Sequence, residues 1–245
     1  MPAEEDAEPT GTARGLPAQS TDAGAAMVAP SLGSTVAAVA SGLGDVHRAR
    51  ESGLASCRLA IRLAGSSIRA VHREQPERAA ELLAQCEGAI RAAQAVLGPY
   101  PEVAHAGFLH DAEKEMAEAA LTACLVSGSP LPSPEQLAIG VPAWLNGLAE
   151  AASELRRHLL DRLRDGRSGV AESLLSTMEE VYEALVAIDY PDAVTAGLRR
   201  SADALRAVLE RTRSDVTTTV LQQRLQRVIE SRLDVVDDAG GGGWC

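Results

Sequence analysis

Apolar residues recur at three- and four-residue spacing over most of the chain, and strict alternation is rare. That period is the mark of amphipathic helices rather than half-buried strands. A first helix is predicted from about Asp45 to Gln75, stopping before Pro76. A second runs from Pro76 to Leu97, with proline in its first turn and Gly98-Pro99 as the breaker behind it. A third follows Pro101 and ends near Gly128. Ser133-Pro134-Glu135 opens a short fourth helix, with serine as the N-cap. Val141-Pro142 starts a fifth that ends at Asp165-Gly166, and a sixth covers about Val170 to Ile188. The last runs from near Asp192 to about Leu233. Its far part carries a stripe of Val220, Leu221, Leu225, Val228, Ile229 and Leu233, suited either to its own subunit or to a partner. Seven helices with short connections make an all-α bundle.

Composition agrees with this reading. The chain has 245 residues, 46% of them hydrophobic, enough for one sizeable core. Aromatics are only 2%, so Ala and Leu fill the apolar positions, as in closely packed helices. Residues 1–33 are rich in Pro, Gly, Ala, Thr and acid and are expected to be disordered. Residues 34–235 form the helical domain, and 236–245 read as a Gly-rich, flexible tail. The stretch around 24–44 is broken by Pro30 and several glycines, which argues against a signal peptide or membrane span. A cytoplasmic protein with no membrane partner is expected. Cys57, Cys86, Cys124 and Cys245 form no C-x-x-C pair, which disfavours a disulfide framework or a zinc site.

The net charge of −11 argues against indiscriminate binding to polyanions, but local charge can override it. Arg58, Arg62, Arg69 and Arg73 share a narrow sector of the first helix, and His47, Arg48 and His72 extend that side. Such a stripe suits phosphate contacts. It suits equally a solvated face paired with Glu51 or Glu74. Arg199 and Arg200 form a second basic cluster, open to nucleic acid or to helix packing. With Phe108 the only phenylalanine, base stacking is poor, so binding should be salt-sensitive and weakly sequence-selective.

Glu115 with Glu118, and Glu150 with Glu154, each lie about one turn apart on a helix face. Two such pairs on neighbouring helices offer oxygen ligands to a hard divalent cation. They are also what a solvated helix face looks like, with Arg157 and His158 as partners for Glu154. A di-iron site is disfavoured, because only Glu102 and His105 match the E-x-x-H pattern. No P-loop, nucleophile elbow or dinucleotide fingerprint occurs.

Four runs resemble the translin superfamily, in collinear order across about residues 45–230. RESGLASCRLAIRLAGSSIRAVHR (50–73) resembles its first helix, and EMAEA (115–119) its E-Y-V-E-A motif. WLNGLAEAASELRRHLLDRL (144–163) resembles its central helix, and YPDAVTAGLRRSADALRAVLERTRSDV (190–216) its C-terminal signature. The resemblance implies a seven-helix fold that assembles into a hollow homo-oligomer, usually an octamer. It implies binding of single-stranded RNA and single-stranded DNA, with contacts from the basic first helix. In the catalytic branch it implies an endoribonuclease dependent on Mg²⁺ or Mn²⁺. The branch's acids fall on Glu115, Glu118, Glu150 and Glu154, with the first three as metal ligands and Glu154 as a further ligand or water-orienting base. Glu150 stands where that branch has aspartate, and Met116 where it has an aromatic residue. A non-catalytic nucleic-acid binder and a structural scaffold of the same fold are the alternatives.

Overall fold

The computed structural model describes residues 31–240, with side chains described through Arg232. The expected disordered extension lies outside the described residues up to position 30, as does the end of the expected tail from 241. Two units are distinguished, Met1–Leu43 and Gly44–Cys245. Among the described residues there are nine helices and no strand. They are α1 (Leu32–His72), α2 (Pro76–Leu97), α3 (Pro101–Ala104), α4 (Phe108–Ser127), α5 (Pro134–Leu137), α6 (Val141–Arg164), α7 (Ser168–Val186), α8 (Asp192–Thr195) and α9 (Leu198–Gly240). The protein is therefore all-α, as the apolar period predicts.

The count differs from seven because two expected helices are each broken near one end. Gly107 adopts φ 99°, which separates the single turn of α3 from α4. Ala196 at φ 51° and Gly197 at φ 86° separate α8 from α9 in the same way. Right-handed helix cannot pass through such dihedrals, and glycine adopts them without steric cost. The outer bounds also move. The first helix begins at Leu32 instead of near Asp45, and the last continues to Gly240. The fourth forms as expected, with a capping box: Gln136 N–H donates to Ser133 Oγ, and Ser133 N–H donates to Gln136 Oε1 at 2.8 Å.

α6 is the central helix. It packs on α4 at one side and on α7 and α9 at the other. Leu121, Leu148, Leu155, Leu159, Met178, Leu185, Leu205 and Leu209 fill the core between these helices. A second cluster joins α1, α2, α3 and α4 through Cys57, Ile68, Cys86, Ile90, Leu97, Val103 and Met116. Met116 is 1% exposed, so the position resembling the family's aromatic is a core position. Cys57, Cys86 and Cys124 are free thiols, and burial pushes Cys86 up to about 12.

Buried polar groups fix the register of the C-terminal helices on α6. Asn146 donates to Pro142 O at 2.8 Å and to Thr195 O at 2.9 Å, while Ser201 Oγ donates to Asn146 Oδ1 at 2.7 Å. Arg156 reaches across to Thr212 Oγ1 at 3.0 Å and Asp215 Oδ2 at 2.8 Å. The apolar stripe of α9 divides. Val220 packs on the core, whereas Leu221, Leu225, Val228 and Ile229 are exposed. The side chain of Leu233 lies outside the described residues.

The crossing of α4 and α6 is set by Gly147. A Cβ on that residue would lie 2.6 Å from Ala117 Cβ, 2.8 Å from Lys114 O and 3.0 Å from Glu118 N. Only a residue without a side chain lets the two backbones approach so closely. The consequence is local: Lys114 and Glu118 on α4 face α6 one turn before Glu150.

Candidate functional site

Glu115 and Glu118 project from consecutive turns of α4, and Glu150 from the facing side of α6. One carboxylate oxygen from each lies within 4.8 Å of the others. All three are partly buried. These three of the four expected acids are therefore brought together, and their environment is that of a half-closed cluster rather than an open charged stripe.

Glu154 is held differently. Its Oε2 lies 2.8 Å from His72 Nε2, across the α1–α6 contact. The His72 side chain is only 3% exposed, so it does not extend the basic side of α1 as its spacing suggests. Nor does Glu154 pair with Arg157 or His158 in an ordinary stripe, since His72 is its hydrogen-bond partner. Glu154 also borders a shallow groove of about 390 Å³, lined with Arg156, Arg157 and Asp161.

The electrostatics follow from this packing. Burial pushes the Glu118 carboxyl up to about 8, and the charges of Glu150, Glu115 and Glu154 add to the effect. Burial likewise raises Glu115, with Lys114 opposing and Glu150 assisting. The His72 contact outweighs burial at Glu154 and holds it below the usual carboxylate range. Lys114 lies in the middle, its Nζ 2.6 Å from Glu150 Oε1 and 3.6 Å from Glu115 Oε1. Burial alone would lower its pKa, but the Glu150 contact and the surrounding carboxylates raise it. One ammonium does not balance the three carboxylates, and their mutual repulsion adds to the burial that raises Glu118. The donor set is all oxygen, comes from two helices and carries more acidic groups than the single ammonium of Lys114 offsets. It fits a hard divalent cation with several waters of its own.

Lys114 and His72 are the residues that sequence reasoning missed as parts of this site. Lysine composition was a usable signal, because Lys114 is the sole lysine of the chain. Nothing in the sequence marks His72, which meets Glu154 only through the α1–α6 packing.

Arg58, Arg62, Arg69 and Arg73 are all exposed. None has a carboxylate within ion-pair distance among the described residues. Glu51 pairs instead with Arg50 at 2.5 Å, and Glu74 with Arg162 at 2.5 Å. Arg199 lies 3.8 Å from Asp189, both well exposed, and Arg200 is exposed nearby. Among the described residues no helix is long and apolar enough to cross a membrane.

No family model matches the chain. An uncharacterized protein of Methanocaldococcus jannaschii is 31% identical over 137 residues, which cover 54% of this chain. The match spans 60% of that relative's length, less than two thirds of it. Among solved structures, AfC3PO in its duplex RNA complex is similar with a TM-score of 0.69 and 29% identity, over 77% of this chain and 97% of that one. The crystal structure of AfC3PO gives a TM-score of 0.69 at 29% identity, over 77% and 98%. Apo-NeC3PO gives 0.68 at 17% identity, over 75% and 96%, a likeness of fold alone. The shared helical fold and the sequence identity to AfC3PO along nearly its whole length bear out the resemblance to the translin superfamily carried by the collinear motifs.

Proposed function

We propose that this protein binds single-stranded RNA and cleaves it as an endoribonuclease dependent on Mg²⁺ or Mn²⁺. The observation that carries the reading is the convergence of Glu115, Glu118 and Glu150 from two helices, with oxygens within 4.8 Å. These residues would hold the cation. When bound, Mg²⁺ or Mn²⁺ supplies the positive charge that polarises a phosphodiester and lowers the pKa of an attacking water. Glu154 is kept ionised and oriented by His72, so its carboxylate is available to orient that water by accepting its hydrogen bond or to complete the ligand set. Arg58, Arg62, Arg69 and Arg73 would bind backbone phosphates, being exposed and free of carboxylate partners among the described residues. Arg199 and Arg200 would add a second contact. AfC3PO has been solved with duplex RNA, which supports RNA as the ligand class and makes strandedness part of the test. Single-stranded DNA is the companion ligand in this reading. The functional unit is a homo-oligomer, an octamer on the family's pattern, and the exposed Leu221, Leu225, Val228 and Ile229 of α9 support association.

A second reading is a non-catalytic single-stranded nucleic-acid binder. Lys114, seated among the acids, and the longer arm of Glu150 favour it. A scaffold without either activity is the third. One experiment separates them. Labelled single-stranded and duplex RNA are incubated with the protein and Mg²⁺ or Mn²⁺, beside the Glu115→Ala/Glu118→Ala variant. Cleavage of single-stranded RNA that the variant lacks is the expected result. Undiminished cleavage by the variant rejects the assigned acids. Binding without cleavage favours the second reading, and no binding at low salt the third.

A further inference from the structure

The only lysine in this protein sits inside its acid cluster. The chain has 23 lysine and arginine residues, and Lys114 is the one lysine among them. Every other described cation in an ion pair is arginine or histidine. A guanidinium is a broad planar fork, whereas an ammonium is a compact point charge that collects oxygen ligands around it. Of the side-chain cations, it is the nearest in shape to a metal ion. Lys114 Nζ is placed accordingly, 2.6 Å from Glu150 Oε1 and 3.6 Å from Glu115 Oε1. It thus draws on both helices of the cluster, and its side chain is 21% exposed.

We propose that Lys114 competes with the divalent cation for Glu115 and Glu150, so that metal loading is an exchange. The ammonium leaves the carboxylates as the ion enters. The inference rests on the reading of this cluster as a metal centre. Two cations cannot share these oxygens at such distances, because their repulsion in a partly buried site amounts to several kcal/mol. The exchange breaks no covalent bond: carboxylate oxygens give up N–H donors, gain the ion, and the ammonium passes to solvent with its protons. A monovalent ion gains little over the ammonium it would displace. A divalent ion gains more, so the resident lysine favours double charge and raises the concentration needed for loading.

The test is Mn²⁺ binding to the full chain, measured by titration calorimetry on the parent, Lys114→Met and Lys114→Arg. Lys114→Met should bind about tenfold more tightly, equivalent to ~1.4 kcal/mol, and Lys114→Arg should not. Binding by the parent with equal or weaker binding by Lys114→Met overturns the exchange and leaves the metal centre standing. No binding by either protein overturns both. A measurement on the parent guards against a variant that fails to fold. With one lysine, protein labelled with ¹³C at the lysine ε-carbon gives a single side-chain NMR signal. Mg²⁺ should shift it saturably toward the position of a solvated lysine. A signal unmoved by Mg²⁺ at concentrations that load the protein overturns the exchange.

Discussion

One methyl group at position 147 should force α4 and α6 apart. In Gly147→Ala the new carbon would meet Ala117 Cβ at 2.6 Å, Lys114 O at 2.8 Å and Glu118 N at 3.0 Å. Carbon atoms at rest stay about 3.5–4.0 Å apart, so the helices must separate by roughly 1 Å. Two of the three obstructing atoms are backbone and cannot rotate away. Overpacking of this kind costs about 1–3 kcal/mol. Replacing glycine by alanine within a helix returns up to about 1 kcal/mol. The net expectation is a destabilisation of ~1–2 kcal/mol, read as a lower urea midpoint. The same movement carries Glu150 away from Glu115 and Glu118, so Mn²⁺ affinity should fall together with stability. Ala117→Gly in the same chain removes one of the three obstructions and should restore part of both. Gly88→Ala is the control: nothing lies within 4 Å of a Cβ there, so the fold should hold or strengthen slightly. Gly147→Ala with the parent's midpoint and Mn²⁺ affinity would refute the close crossing as the device that assembles the cluster.

Stability should also depend on pH through Glu118, whose carboxyl is ordinary in the unfolded chain and raised to about 8 in the fold. Between those values the folded state binds more protons, so its stabilising contribution is full below about pH 4.5 and is lost as pH rises through 8. In EDTA, urea unfolding of the parent should weaken between pH 5 and pH 8 by up to about 1.4 kcal/mol per pH unit from this group. Glu118→Gln should flatten the slope, and an unchanged slope would count against the buried carboxyl. On the basic face, Arg58→Gln/Arg62→Gln should weaken binding to single-stranded RNA of any sequence. It should also reduce the slope of log affinity against log salt by about 0.7 for each phosphate these arginines neutralise. A parental salt slope in that variant would remove them from the interface.

The helical class was legible because the 3.6-residue period and the proline and capping signals are local. Pro76, Pro101, Ser133-Pro134 and Pro142 mark helix starts that the structure reproduces. The breaks at Gly107 and Gly197 were not legible as breaks, since glycine inside an apolar period is compatible with a continuous helix. Glu115, Glu118 and Glu150 could be grouped from spacing and motif. The divergence of Glu154 could not, because its partner His72 lies 82 residues away in sequence and only packing joins them. Likewise Gly147 reads as a mild helix defect until α4 is laid against it. The mistaken placing of His72 has the same origin: helical spacing gives a sector, but not which neighbour covers that sector.

All four glutamates, Lys114 and Gly147 lie between Phe108 and Arg164, the span of α4 through α6. In a chain made from its N-terminus, the parts of the acid cluster have therefore all been synthesised before α7 begins. α1, which brings His72, has been made earlier still. The helices that cover the far side of α6 arrive last. A nascent chain thus contains all three carboxylates before the helices that cover the far side of α6 exist, and partly formed states of this kind are where folding chains are most exposed to failure. Because Lys114 belongs to the same stretch, a neutralising charge emerges with the acids and does not wait for any ion from solution.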